Sequence, residues 1–581
     1  MDSTPFLSFE EVRKQIIGRN FTFKTPYGKR LLTYADYTAS GRSLRFIEQF
    51  LIKIQREYAN THTEDDITGR NMTTMLHQAE NIIKKAFNAE KNCHVIAIGT
   101  GATGAISKLQ EILGVRNIPA VKSLMKQIKN KIYDEHDELA EFGNHFETEV
   151  ENRKPLVFIG PYEHHSNDII WRDSLAQIVR IELTKEGYYD LEDLERKLSN
   201  PSYQNRIKIG SFSAASNVTG LKSPIYEISR IMHKFDGIAC FDYAASAPYV
   251  KIDMNKDDKA YLDAISLSPH KFIGGPGSSG ILIFNERIYE KSISPTCPGG
   301  GTVDFVSNSS VDFVRDIETR EKAGTPGILQ TIKAALVIDL KDAIGIGKIE
   351  EKELELTKKA LGEFSKHPKI EILGPLDPNK RIAIISFMIK HEDKYLHPKF
   401  ITKLLNDLFG IQSRAGCMCA GPYGHILLQI NEATSEKYRN LIQKGIIGLK
   451  PGWCRINYHY LFSEIEFEFI TKAIQFIGDN GFIFIPEYIF NYQTGEWHHH
   501  SFVEIEDTEK FSVRSILKME LKDCFEEASI KNREEIYNSY LQEAEKIANS
   551  LQVKTSNYGK FKDPSAESVR WFNFIHMTNE D

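Results

Sequence analysis

Residues 261–280 read YLDAISLSPHKFIGGPGSSG. Ala264, Ile265 and Leu267 predict an apolar strand, followed by a polar turn and then Lys271. Gly274, Gly275, Gly277 and Gly280 come next, and a second apolar run from Ile281 to Phe284 predicts another strand. A lysine just past a strand end, beside backbone with no side chains to obstruct approach, suits the holding of a flat ligand. An ordinary surface loop with an exposed lysine fits this stretch equally well, so the surrounding chain has to decide.

Four other runs share the pattern of an apolar strand ending in polar or glycine residues. GIACFDYAASAPY (237–249) ends its strand at Asp242, where open α/β sheets bind ligands. RIKIGSFSAASNVTG (206–220) ends near Asn217, and PLVFIGPYEHHSN (155–167) ends at His164, His165 and Asn167. CHVIAIGTGATGAISKL (93–109) passes through Gly99, Gly101, Ala102 and Thr103 into a predicted helix. Five strand ends thus deliver Thr103, His164, Asn217, Asp242 and Lys271, the set that pyridoxal 5′-phosphate (PLP) needs. A lysine joins the cofactor's aldehyde, and a carboxylate keeps the ring nitrogen protonated so that the ring draws electrons. That charge-assisted bond contributes ~1.5–3 kcal/mol. Amides at a glycine-rich helix N-terminus bind the dianionic phosphate, and an imidazole face stacks on the ring.

The spelling and order of nine segments carry a resemblance. They are GTGATGAI, EHHSN, SNVTG, FDYAASAP, LSPHK, GGGT, EKAGTP, SRAGCMCAGP and WCRINYHY, spread over about residues 30–480. The chain resembles the class V aminotransferase family of fold-type I PLP enzymes, closest to its cysteine desulfurase/selenocysteine lyase branch. The resemblance implies an α/β fold. A large domain with a mostly parallel seven-stranded sheet is joined to a smaller α+β domain and a helical C-terminal extension. The expected boundaries are an N-terminal segment (1–30), a PLP-binding domain (31–327), a small domain (328–485) and an extension (486–581). A charged stretch at about 115–155 is expected to add one or two solvated helices, as a cap, a subunit contact or neither.

The same resemblance assigns roles. Lys271 holds the cofactor and shuttles the Cα proton, and His164 stacks on the ring and moves protons. Asp242 pairs with the ring nitrogen and Asn217 positions the ring hydroxyl. Gly101, Ala102, Thr103, Ser268 and His270 contact the phosphate. Thr302, in GGGTVDFV, reaches the neighbouring subunit's phosphate site, which implies a homodimer. Arg455 binds the substrate carboxylate through a planar bidentate donor, and His62, in NTHTEDD, stands at the substrate entrance or is structural. Tyr37 and Ser40 line the site or simply form a turn. In SRAGCMCAGP the attacking thiol is Cys419, counted from Arg414 and Gly416, and it needs access and thiolate character. Cys417 makes a Cys-x-Cys that is also similar to the loop of molybdenum cofactor sulfurases. One departure stands out. The family's glutamine three residues after the aspartate is Ala245 here, so that contact falls to Ser246 or Asn217, or is missing.

The expected activity is removal of sulfur or selenium from L-cysteine or selenocysteine, giving alanine and an enzyme persulfide, with a sulfur-acceptor protein as a possible partner. A class V aminotransferase or epimerase on another amino acid is the alternative on the same scaffold. A non-catalytic sulfur-relay or scaffold protein is the alternative of another kind, and the intact Lys271–Asp242 pair argues against it.

Composition agrees. A hydrophobic share of 41% and a charged share of 26% are those of a globular protein, and a net charge of −6 gives no basis for nucleic acid as a partner. No apolar run approaches the ~20 residues of a membrane helix, and MDSTPFLSFEEVRKQ lacks a secretory pattern. Seven cysteines without framework spacing point to a reducing compartment, hence the cytoplasm. No metal is expected, because the His164–His165 pair has no third ligand at fixed spacing. His498, His499 and His500 are expected to face solvent in a turn, and 513–550, with Cys524, to be helical.

Overall fold

The computed structural model describes residues 7–61, 63, 65–99, 101–135, 137–417, 419–503, 512–517, 530, 532–551 and 558–577. His62 and Cys524 lie outside the described residues. The chain forms two compact units. One comprises 47–216 and 221–349, the other 7–46, 217–220 and 350–581.

The first unit is built on a seven-stranded sheet. Its strands are β1 (Cys93–Ile98), β2 (Leu156–Ile159), β3 (Gln177–Arg180), β4 (Lys208–Ser213), β5 (Ile238–Asp242), β6 (Ala264–Leu267) and β7 (Gly280–Asn285). They lie in the order β1-β7-β6-β5-β4-β2-β3. The pairs from β6 to β3 are parallel, and β7 runs antiparallel between β6 and β1. Strands β2 and β6 are buried at every position, which is why they read as unbroken apolar runs. Ile96, Leu109, Leu282 and Phe284 pack in one core cluster, and Val157, Ile159, Trp171 and Ile209 in another.

The helices of this unit include α1 (Ile67–Ala86), α2 (Gly101–Ile112), α3 (Pro119–Glu135), α4 (Asp137–Arg153), α5 (His165–Arg172) and α6 (Ile328–Ile344). The charged stretch after α2 forms α3 and α4, which pack on each other. Lys129 of α3 and Glu147 of α4 make an ion pair between them. Helix α6 packs on α1. The expected boundary at 327 therefore falls before a helix that remains with the large unit. Ile328, Ile332, Ala335, Ile338 and Ile344 are all buried on it, and a helix so apolar is stable only when enclosed.

The second unit has a sheet of β8 (Ile370–Ile372), β9 (Ile384–His391), β10 (Arg414–Gly416) and β11 (Trp453–Asn457), in the order β8-β9-β11-β10. Its helices include α7 (Pro398–Phe409), α8 (Glu464–Asn480) and α9 (Arg533–Ser550). Residues 7–46 join this unit. Thr33–Tyr34 pairs in parallel with Ile411–Gln412. The expected C-terminal extension is likewise part of it. Tyr537 of α9 stacks on Phe469 of α8 at 3.9 Å between ring centroids. The segment Tyr488–Phe490 pairs with Trp497–His499 and with His576–Met577. His498 and His500 are exposed, as expected, and the pairing corrects the solvent-facing reading for His499 alone. His499 lies opposite Tyr488 in the hairpin, and only 8% of its side chain is exposed. Strand alternation separates it from exposed His498.

Candidate active site

The N-terminus of α2 is a cradle of backbone amides. Gly101 opens the helix at φ +61°, a left-handed conformation natural to glycine. The Ala102 amide donates to Ser268 Oγ at 2.9 Å. A Cβ at Gly101 would stand 2.9 Å from Ser268 Oγ and 3.5 Å from His270 Nε2. Ser268 and His270 thus gather at the end of the helix where anions bind. A Cβ at Gly280 would sit 2.3 Å from the Gly101 carbonyl oxygen, so that position has no room for a side chain. Burial, reinforced by the charge of Lys271, lowers the His270 imidazole to about 4.

Lys271 closes a short turn, its amide bonded to the Ser268 carbonyl at 2.9 Å. Asp242 is buried at the carboxyl end of β5, in register with Ser213 and Ser266. Burial raises the Asp242 carboxyl above its ordinary range, while the Ala244 amide (2.9 Å) and the charge of Lys271 oppose that rise. Lys271 and Asp242 therefore act on each other electrostatically within one unit.

His164 caps α5, its Nδ1 accepting the Ser166 amide at 3.1 Å, which leaves the proton on Nε2. Thr103 and Ser166 share a hydroxyl hydrogen bond of 2.7 Å, tying the helix cradle to the His164 turn. Beneath lies a network that sequence reasoning passed over. Glu163 Oε1 accepts the amides of Gly160 (3.0 Å) and Ser213 (2.9 Å), and Oε2 accepts Ser213 Oγ and Asn167 Nδ2, both at 2.6 Å. Asn167 Oδ1 accepts Trp171 Nε1 and Ser211 Oγ. Burial lifts the Glu163 carboxyl to about 7 against the pull of the Ser213 and Asn167 hydrogen bonds. The signal in the sequence was an acidic residue at a strand end with Asn one helical turn later.

In the second unit, Arg455 is buried on β11. Its Nη2 meets Asp36 Oδ1 at 2.9 Å and its Nη1 donates to the Asn217 carbonyl at 2.9 Å. Asp36 Oδ2 takes Arg414 Nε at 2.9 Å. Asp36 was not singled out in the sequence, although its neighbour Tyr37 was. Tyr37 is buried and stacks on His459 at 4.0 Å, while Ser40 is half-buried and its carbonyl accepts Tyr34 Oη. Beyond Arg414 the chain reaches half-buried Cys417 and exposed Cys419. Cys419 adopts φ +54°, a conformation that costs a non-glycine residue ~1–2 kcal/mol. Thr302 is enclosed in its own turn, its hydroxyl donating to the Gly299 carbonyl at 2.7 Å and accepting the Gly299 amide at 3.1 Å.

The residues of the first unit fit PLP. The helix cradle with Ser268 and His270 suits a phosphate, and Lys271 and Asp242 suit the aldehyde and the ring nitrogen. Ser246 Oγ, one residue past the missing glutamine, is buried and has no hydrogen-bond partner among the described residues. A buried hydroxyl left in this way carries a cost that a ligand oxygen would relieve.

Residues 144–435, half of the chain, match the profile of the aminotransferase class-V family. A probable cysteine desulfurase of Halalkalibacterium halodurans is 33% identical over 270 residues, and the match spans 46% of this chain and 62% of that protein, under two thirds of its length. A probable cysteine desulfurase of Staphylococcus aureus is 28% identical over 400 residues, 68% of this chain and 84% of that one. Among solved structures, the apo cysteine desulfurase of Thermococcus onnurineus NA1 aligns with a TM-score of 0.61 at 21% identity, covering 82% of this chain and all of that one. The cysteine desulfurase CsdA of Escherichia coli aligns at 0.55 and 18% identity, covering 76% and 93%. These structures share the fold of this chain, with its mostly parallel seven-stranded sheet. The profile match over half the length establishes that the chain belongs to the aminotransferase class-V family.

Proposed function

We propose that this chain is a PLP-dependent cysteine desulfurase, removing sulfur or selenium from L-cysteine or selenocysteine. The observation that carries this reading is the convergence of Lys271, buried Asp242 and the Ser268–His270 cradle in one unit. The relatives named above support the reaction type.

Bound PLP supplies an electron sink at the substrate's Cα. The helix N-terminus, Ser268 and His270 hold the phosphate, and Asp242 keeps the ring nitrogen charged. Lys271 Nζ takes the Cα proton and returns one to the departing product. His164, with its proton on Nε2, covers the ring and supplies a proton. Arg455 takes the substrate carboxylate. The Cys419 thiolate attacks the substrate sulfur. One S–S bond forms, the substrate C–S bond breaks, and its electron pair is protonated to give alanine. The enzyme keeps the sulfur as a persulfide for an acceptor protein.

A homodimer fits this reading. Phe305, Val306 and Val311, in the hairpin after Thr302, expose 56%, 58% and 49% of their surface, an apolar patch that a second copy would cover. Light scattering that finds only monomers would remove this part. Cytoplasmic placement rests on the cysteine content. Among the described residues no helix is long and apolar enough to cross a membrane.

The test is to supply purified protein with PLP, L-cysteine and a thiol reductant, which reduces the persulfide to sulfide, and to measure alanine and sulfide. The desulfurase releases both, and Cys419→Ala stops release. An aminotransferase or epimerase would turn over without Cys419.

A further inference from the structure

The second unit contains a cleft of about 970 Å³ that has no part in the proposed chemistry. Four lysines line it, and two of them form a pair that repels. Lys24 and Lys29 lie directly opposite each other in the hairpin Thr22–Thr25/Gly28–Leu31. Like charges in that position destabilise a strand pair. Lys399 and Lys403 are one helical turn apart on α7. Lys24 and Lys29 are exposed and have no ion pair or side-chain hydrogen bond among the described residues.

Among the described residues the acidic lining does not cancel this charge. Asp407 is buried, accepting Tyr488 Oη at 2.9 Å and lying 3.6 Å from Lys403, so that pair is neutral. Lys399 Nζ donates to a backbone carbonyl, that of Thr494, at 2.8 Å. Exposed Glu496 is left against three lysines. The wall also holds Phe21, 57% exposed, and its neighbour Phe23. An exposed aromatic at the rim of a basic cleft offers a stacking face beside the charge. The volume lies within the range of small-molecule sites.

We infer that this cleft binds a small, multiply phosphorylated molecule with a flat ring, of the nucleoside di- or triphosphate class. The phosphates relieve the repulsion between Lys24 and Lys29, and the ring lies against Phe21. An acidic segment of a partner protein would meet the same charge, but not the aromatic wall.

Full-length protein saturated with PLP, so that its phosphate site is filled, is titrated calorimetrically with ATP, inorganic triphosphate, adenosine and a decaglutamate peptide. ATP is expected to bind saturably and tighter than the other three, and more weakly as salt rises. Lys24→Gln/Lys29→Gln should weaken ATP by about tenfold or more, since each charge-assisted bond is worth over a kilocalorie. The double variant should keep or slightly raise its melting temperature, since the like-charge pair is gone, and keep its turnover of L-cysteine. Absence of saturable ATP binding, or ATP binding unchanged in the double variant, would overturn the assignment. Triphosphate binding as tightly as ATP would refute the ring. Decaglutamate binding tighter than ATP, through the same lysines, would make the cleft a protein-docking site instead.

Discussion

Arg414 and Arg455 are register partners on the adjacent antiparallel strands β10 and β11, and the Asp36 carboxylate touches both at 2.9 Å. Two like charges directly opposite each other destabilise a sheet. Asp36 offsets that repulsion with one oxygen for each guanidinium. The same carboxylate therefore orients the proposed substrate arginine and anchors the start of the cysteine loop.

Asp36→Asn should destabilise the protein by about 2–4 kcal/mol, because Arg455 would be left buried without its counter-charge. Arg414→Ala should cost under ~1 kcal/mol, since that side chain is 51% exposed and its pairing is screened. Urea denaturation of both variants checks the order. Equal losses would show that Asp36 does not serve chiefly Arg455.

Glu163 predicts a particular pH dependence. Its carboxyl is raised to about 7 in the folded chain from an ordinary value of 4.5. Between these values the native state holds a proton that the unfolded state has released. Its contribution to stability is therefore complete below pH 4.5 and is lost as pH rises through 7. The loss amounts to about 3 kcal/mol. Glu163→Gln should flatten this part of the stability–pH curve, and parallel curves for wild type and variant would refute the assignment.

Ser268→Ala removes the acceptor for the Ala102 amide at the mouth of α2. The amide is then free but the hydroxyl is gone from the cradle. PLP affinity should fall by about tenfold, equivalent to one hydrogen bond of ~1.4 kcal/mol. Equilibrium dialysis against PLP measures it, with no change in affinity as the contrary outcome.

Cys419 and Cys417 should separate cleanly. Cys419→Ala should abolish sulfide release while keeping PLP bound, and Cys417→Ala should retain most activity. Cys419→Gly should also relieve the positive φ and stabilise the loop by ~1 kcal/mol. The reverse pattern of activities would move the nucleophile to Cys417.

The large unit was legible because its strands are buried on both faces and end abruptly in polar residues. Apolar runs such as LVFI and AISL leave no other reading once glycine and a polar side chain follow them. Lys271 and Asp242 were proposed in this way. Asp36 was not, because its partners Arg414 and Arg455 lie 378 and 419 residues away and no local pattern links them. The contact-based division into units differs from the expected boundaries for a similar reason. Residues 31–46 and 486–581 join the second unit through long-range pairings such as Thr33–Ile411 and Tyr537–Phe469. His499 was read as exposed because a run of three histidines hides the strand alternation that buries it.

The most direct test of the account is to incubate the protein with PLP, reduce it with borohydride, digest it and locate the cofactor by mass spectrometry. The account predicts the cofactor mass on the peptide containing Lys271, and no labelled peptide from Lys271→Ala. Cofactor attached to a different lysine, or none attached to the wild-type chain, would contradict it.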